Sequence, residues 1–189
     1  MKAPMSMMWF VILGAVGFGI AGASSAFWGL GPLLAGALGG ASLGLALKDW
    51  GRVLSLAILG LMGLVLGFVA GLSLEGLIAN ILGLDSESGT GTLIVATAGA
   101  VLGASLGLAF ADWRTIVALA VAGAVGFGVG AWLFELISHG IPILSQLEEG
   151  EAFGINITII GAIGGASLGA ALGYLEKRKL AQERRPRVR

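Results

Sequence analysis

Cysteine is absent from the 189 residues, histidine occurs once, and only 12% of the chain is charged. Without cysteine there can be no disulfide, and the redox compartment leaves no trace in the sequence. The lone His139 has no second histidine beside it, so no metal-ligand spacing exists. A soluble domain usually carries about a quarter charged residues, so half of the usual charge is missing. No Ser–His pair with a credible base, carboxylate dyad or metal cluster can be read, which argues against an enzyme and against any cofactor. The formal net charge is zero and gives no reason to expect a nucleic-acid partner. The distribution of charge says more than its sum.

What is present is apolar and small. Apolar residues make up 57% of the chain, mean hydropathy is +0.96, and 34 of 189 residues are glycine. Typical glycine usage is about 7%. No G-x-y period runs through the chain, which excludes collagen, and so apolar a composition excludes a disordered low-complexity chain. A helical membrane protein remains, where glycine serves close helix contacts.

Apolar runs able to cover a ~30 Å hydrocarbon core need about 20 residues. Six are legible: 7–27, 33–47, 53–70 (running on toward 82), 91–111, 116–136 and 156–175, the second being short. The breaks between them sort the charges. Lys2, Lys48, Arg52, Arg114 and the seven basic residues after Tyr174 fall on one side. Glu75, Asp85, Glu87, Glu135, Glu148, Glu149 and Glu151 fall on the other, with no basic residue among them. The positive-inside rule makes the basic side cytoplasmic, with both termini inside and the plasma membrane as location. The first run, with Lys2 and Ala21-Gly22-Ala23, also has features of a cleavable signal. It is read as a retained span, because Gly14–Gly22 (GAVGFGIAG) is nearly copied at Gly123–Ala131 (GAVGFGVGA).

The phrase GASLG occurs at residues 40–44, 103–107 and 165–169, each time inside an even-numbered run. Around it lie glycine ladders of spacing four: Gly36/Gly40/Gly44, Gly99/Gly103/Gly107 and Gly161/Gly165/Gly169/Gly173. The odd runs carry matching ladders, Gly17/Ala21/Ser25, Gly63/Gly67/Gly71 and Gly126/Gly130. A spacing of four places small residues on one helix stripe, where a neighbouring backbone can approach closely. The expected fold is therefore an all-α integral membrane protein of six transmembrane helices. It reads as one domain of three parallel hairpin repeats (about 1–49, 50–112 and 113–176) in pseudo-threefold arrangement, packed by GxxxGxxxG zippers, with a basic tail at 177–189. Ile94 is expected to face lipid.

Two functional classes follow. In the first, the bundle is a structural or accessory membrane subunit without a catalytic site. In the second, it is a small passive channel or transporter for a cation or a small neutral solute, with Ser42, Ser105 and Ser167 lining a path and Glu75 and Glu135 forming an acidic outer mouth. The plainer expectation for the serines is a hydrogen bond to the carbonyl four residues back. Partners are expected to be the bilayer, anionic lipid at the basic tail, and other membrane subunits or further copies of the chain. Gly17-x-Gly19-x-x-Gly22 has the letters of a dinucleotide fingerprint, but it lies inside a span and follows no strand. Asn156-Ile157-Thr158 spells a glycosylation sequon that abuts the membrane.

Overall fold

In a glycine-rich chain placed in lipid, the backbone has no water to bond and must satisfy itself, so helix is the stable state wherever the run is long enough. The computed structural model describes residues 6–28, 31–82, 90–140 and 149–183. Among these it contains α1 (Met7–Trp28), α2 (Gly31–Ala46), α3 (Trp50–Leu82), α4 (Thr90–Leu108), α5 (Trp113–Gly140) and α6 (Glu149–Glu183). Lys2, Asp85, Glu87, Glu148 and the basic residues from Arg184 onward lie outside the described residues.

Five of the six helices are long and apolar enough to cross a membrane. The exception is α2, with 16 residues. At about 1.5 Å per residue it reaches roughly 24 Å, short of the ~30 Å core. Thus the length criterion supports five spans where the sequence led us to expect six.

Each helix packs against its neighbours in sequence, and α6 returns to pack against α1. The result is a closed ring in which the glycines set the spacing. Cβ atoms built on Gly36, Gly40 and Gly44 would overlap Gly60, the Leu56 carbonyl and Val53 of α3. Those on Gly99, Gly103 and Gly107 would overlap Gly123, the Leu119 carbonyl and Ile116 of α5. Residue numbers rise on one helix as they fall on the other, so both seams are antiparallel. No side chain larger than hydrogen fits at these positions, and the packing gain comes from backbone-to-backbone contact.

The odd-helix ladders do not meet the even-helix ones, although their equal spacing suggested a match. On α3, Gly63 faces Ser105, Gly67 faces the Ala98 backbone at 2.7 Å from its would-be Cβ, and Gly71 faces Ile94. On α5, Gly126 faces Ser167 and Gly130 faces Ile160, and on α1 Gly17 faces Ser42. Each odd stripe thus packs within its own hairpin. The reason is that the glycine ladder of α2 or α4 is already taken by the following helix, which leaves a different face for the preceding one.

The seam that closes the ring is offset. Gly165 and Gly169 meet the Gly14 and Phe10 carbonyls, Gly173 meets Met7 and Phe10, and Gly161 meets the Phe18 carbonyl. Counted from GASLG, Gly161 is the counterpart of Gly36 and Gly99, yet it is Gly165 that faces Gly14. The closing seam is displaced by four residues, about 6 Å or one turn.

The ring has a filled interior. Phe18 of α1 and Phe127 of α5 reach across it, edge to face, with ring centroids 5.9 Å apart and planes at 85°. Such a pair contributes roughly 0.5–1.5 kcal/mol beyond burial. The rings fit because Gly39 lies against Phe18 and Gly164 against Phe127. In the middle hairpin the matching positions are Leu64 and Leu102, both buried. Phe10, Leu56 and Leu119 belong to the same buried cluster.

The outside is apolar as well. Val117, Val121, Val125 and Val129 of α5 and Leu54, Ile58, Met62 and Val69 of α3 are all exposed. On α5 the exposed Trp113 and Trp132 lie 19 positions apart, about 28 Å along the axis, which matches the hydrocarbon thickness. Such spacing suits two rings of interfacial tryptophan.

Two tight turns join α2 to α3 and α4 to α5. In each, one residue takes a left-handed conformation: Lys48 (φ 54°) and Ala111 (φ 50°). Their N–H groups donate to the Leu45 and Leu108 carbonyls at 2.9 and 3.1 Å, closing the helix C-termini. Glycine would take this conformation without steric penalty. Ala111→Gly should therefore raise stability in detergent by about 0.5–1 kcal/mol. The same exchange at Ala170, inside α6, should lower it. A thermal midpoint that falls as far with Ala111→Gly as with Ala170→Gly would refute the assigned turn geometry.

Candidate functional site

Successive residues on a helix point about 100° apart, so GASLG addresses four directions. The two glycines of each copy face the next hairpin, as described above. The serine faces the other helix of its own hairpin: Ser42 lies against Gly17, Ser105 against Gly63 and Ser167 against Gly126. The leucine points between these two seams, and Leu43, Leu106 and Leu168 are almost wholly buried. The alanine takes the remaining, outward direction.

The serine hydroxyls are half-buried hydrogen-bond donors. Ser105 Oγ lies 2.9 Å from the Leu59 carbonyl of α3 and 2.7 Å from its own Leu102 carbonyl, which share its single proton. Ser167 Oγ donates to the Ala122 carbonyl of α5 at 2.8 Å. Ser42 Oγ donates to Gly39 at 2.7 Å. The expected partner four residues back is replaced by one three residues back, or by the neighbouring helix. The three hydroxyls sit in three separate seams, and leucine takes the interior direction of the motif.

Ile94 is also placed differently from expectation. Its Cα and Cγ2 lie 3.0 Å from where a Cβ on Gly71 would stand, so it fills the α3/α4 seam instead of facing lipid. The corresponding α6 residue is Asn156, whose Oδ1 is buried without a hydrogen-bond partner among the described residues.

Glu75 is half-buried near the end of α3, and Glu135 is exposed near the end of α5. In the ring α4 stands between these helices. Glu135 follows the exposed Trp132 by three residues on α5. Among the described residues no group of three or more His, Asp or Glu side chains comes together as a metal site.

The opposite, basic end is more organised. Asp49 and Asp112 cap the first turns of α3 and α5, accepting from Gly51 N–H at 3.0 Å and Arg114 N–H at 3.2 Å. The Thr115 hydroxyl donates to the second Asp112 oxygen at 2.9 Å. These bonds, the hydroxyl's first, hold the Asp112 carboxyl below its usual range. A depressed carboxylate stabilises the fold above the ordinary carboxylate range and loses that contribution only as pH falls through the lowered value. At neutral pH this cap is intact. Beside it α3, the α4–α5 turn, α5 and α6 border an open hollow of about 410 Å³, lined by Arg52, Arg114, Arg178, Lys179, Asp112 and Glu176 together with apolar residues.

No family model, curated protein or solved structure matches the chain. Fold and surface define the class by themselves. The chain is an apolar all-helical bundle with several membrane-length helices, consistent with a multi-pass membrane protein.

Proposed function

We propose that this chain is a plasma-membrane bundle of three parallel hairpin repeats about a pseudo-threefold axis, with both termini cytoplasmic. Its role is that of a non-catalytic structural or accessory subunit. Recurrent glycine seams support the repeat, and the sorting of charge supports the orientation. The observation carrying the functional reading is the crossing of the interior by Phe18 and Phe127, backed by the buried leucines of the three GASLG copies. A bundle filled in this way is suited to being held against other membrane subunits. Among the described residues the buried cluster that fills it is apolar, unsuited to replacing the hydration shell of a permeant ion.

Purified protein in sealed liposomes tests this against the conduit reading. Potassium and glycerol fluxes should equal those of protein-free liposomes, at low salt and at high salt. The Ser42→Ala, Ser105→Ala, Ser167→Ala triple variant should leave these fluxes unchanged. Flux in the parent that the triple variant abolishes would replace the subunit reading with a serine-lined path.

A further inference from the structure

The hollow at the basic end has a composition that the packing of the bundle does not require. It gathers Arg52 from α3, Arg114 from α5, and Arg178 and Lys179 from α6, against Asp112 and Glu176. Asp112 is already committed to Thr115 and the Arg114 N–H. Arg52 is held in place by Asp49 at 3.3 Å and by the Phe110 ring at 5.3 Å. Arg114 lies over Trp113 at 5.7 Å. Among the described residues neither Arg114, Arg178 nor Lys179 forms an ion pair. Among the described residues Arg114, Arg178 and Lys179 thus share one concavity without an ion pair, the charge of Arg114 acting only at longer range on Asp112, and a fourth cation, Arg52, is fixed at the edge.

Like charges converge at a cost unless an anion joins them, and arginine's planar fork suits phosphate oxygens. The floor, made of Ala109, Phe110, Leu172 and Leu175, is apolar. The exposed Trp113 and Tyr174 mark the level as interfacial. We propose that this hollow binds a phosphate group, held by Arg114, Arg178 and Lys179 with Arg52 at the rim, and that the apolar floor receives whatever hydrocarbon is attached to it. Phosphate of this kind comes either from the headgroup of an anionic phospholipid or from solution, and the floor favours the lipid. The site is independent of the subunit reading above, and of which side of the membrane the basic end occupies.

The test uses the full chain in neutral detergent, with thermal midpoint and native mass spectrometry as readouts. Phosphatidylglycerol, phosphatidylcholine and inorganic phosphate are titrated separately. Phosphatidylglycerol should raise the midpoint saturably with one tightly retained lipid, while phosphatidylcholine should not. The Arg114→Gln, Lys179→Gln double variant should weaken this binding roughly tenfold or more, since two charge-assisted contacts are lost. Its midpoint without lipid, equal to the parent's, shows that it is folded. Replacing Arg184, Arg185, Arg187 and Arg189 by glutamine removes tail charge and should leave the tight lipid in place. Saturable binding of inorganic phosphate, lost in the double variant, would assign the site to a soluble ligand. Lipid binding that follows the tail variant and ignores the double variant would overturn the proposal, as would equal retention of phosphatidylcholine.

Discussion

Leucine in place of Gly103 is expected to drive α4 away from α5 and lower the thermal midpoint in detergent by on the order of 10 °C. Even a Cβ at Gly103 would overlap the Leu119 carbonyl, and the next atoms are backbone too. Backbone cannot rotate out of the way as a side chain can, so the loss should reach or exceed the upper end of the ~1–3 kcal/mol typical of overpacking. Gly165→Leu, facing the Gly14 carbonyl, should behave alike. Gly76 provides the contrast, for nothing lies within 4 Å of its missing Cβ. Gly76→Leu should therefore be nearly silent, as should Val121→Leu on the outer face. Comparable losses at Gly76 and Gly103 would mean that glycine content, and not these seams, governs stability.

The second large effect lies inside the ring. Gly164→Leu would strike the Phe127 ring directly and should destabilise the bundle severely. Adding Phe127→Leu should recover most of the loss, because the double variant recreates the Leu64/Leu102 combination that the middle hairpin already uses. The coupling energy of the cycle should be favourable and on the order of 1–3 kcal/mol. Strictly additive losses would show that the two positions do not share one space.

The long apolar runs made membrane-length helices legible in the sequence. Spacing of four announced a stripe, and the even-helix ladders are the residues found against neighbouring backbone. Which neighbour they touch could not be read, because a glycine carries no sign of its partner. Gly67 shows this plainly: its spacing matches the α4 ladder, yet it rests on Ala98, one residue before that ladder begins. Ser42, Ser105 and Ser167 show the same gap. Their recurrence was plain, but whether position 42 faces a seam or the interior depends on the rotation of the helix. The burial of Leu43, Leu106 and Leu168 fixes that rotation, and hydropathy cannot reveal it when every face is apolar. Periodicity failed for the same reason at Ile94, where lipid and a neighbouring helix ask for the same kind of side chain. The αL positions were hidden for a different reason. Composition favours glycine there, yet the residues are Lys48 and Ala111, and the glycine at the matching α6 position, Gly173, lies within continuous helix. In the basic hollow, each arginine was legible as a topology signal. Their convergence from three helices was not.

The one-turn offset between α6 and α1 bears on how such a ring can be made. Three separate copies of one hairpin, related by rotation, must present three identical junctions. A trimer could not displace one junction and leave the other two aligned. Linking the hairpins in a single chain lifts that restriction, and the third is then free to diverge. It does so by carrying a fourth ladder glycine in contact, Gly173, against Phe10 and Met7. The chain thus forms a ring whose closing junction differs from the other two. Any subunit that seats against it would meet three hairpins that it can tell apart.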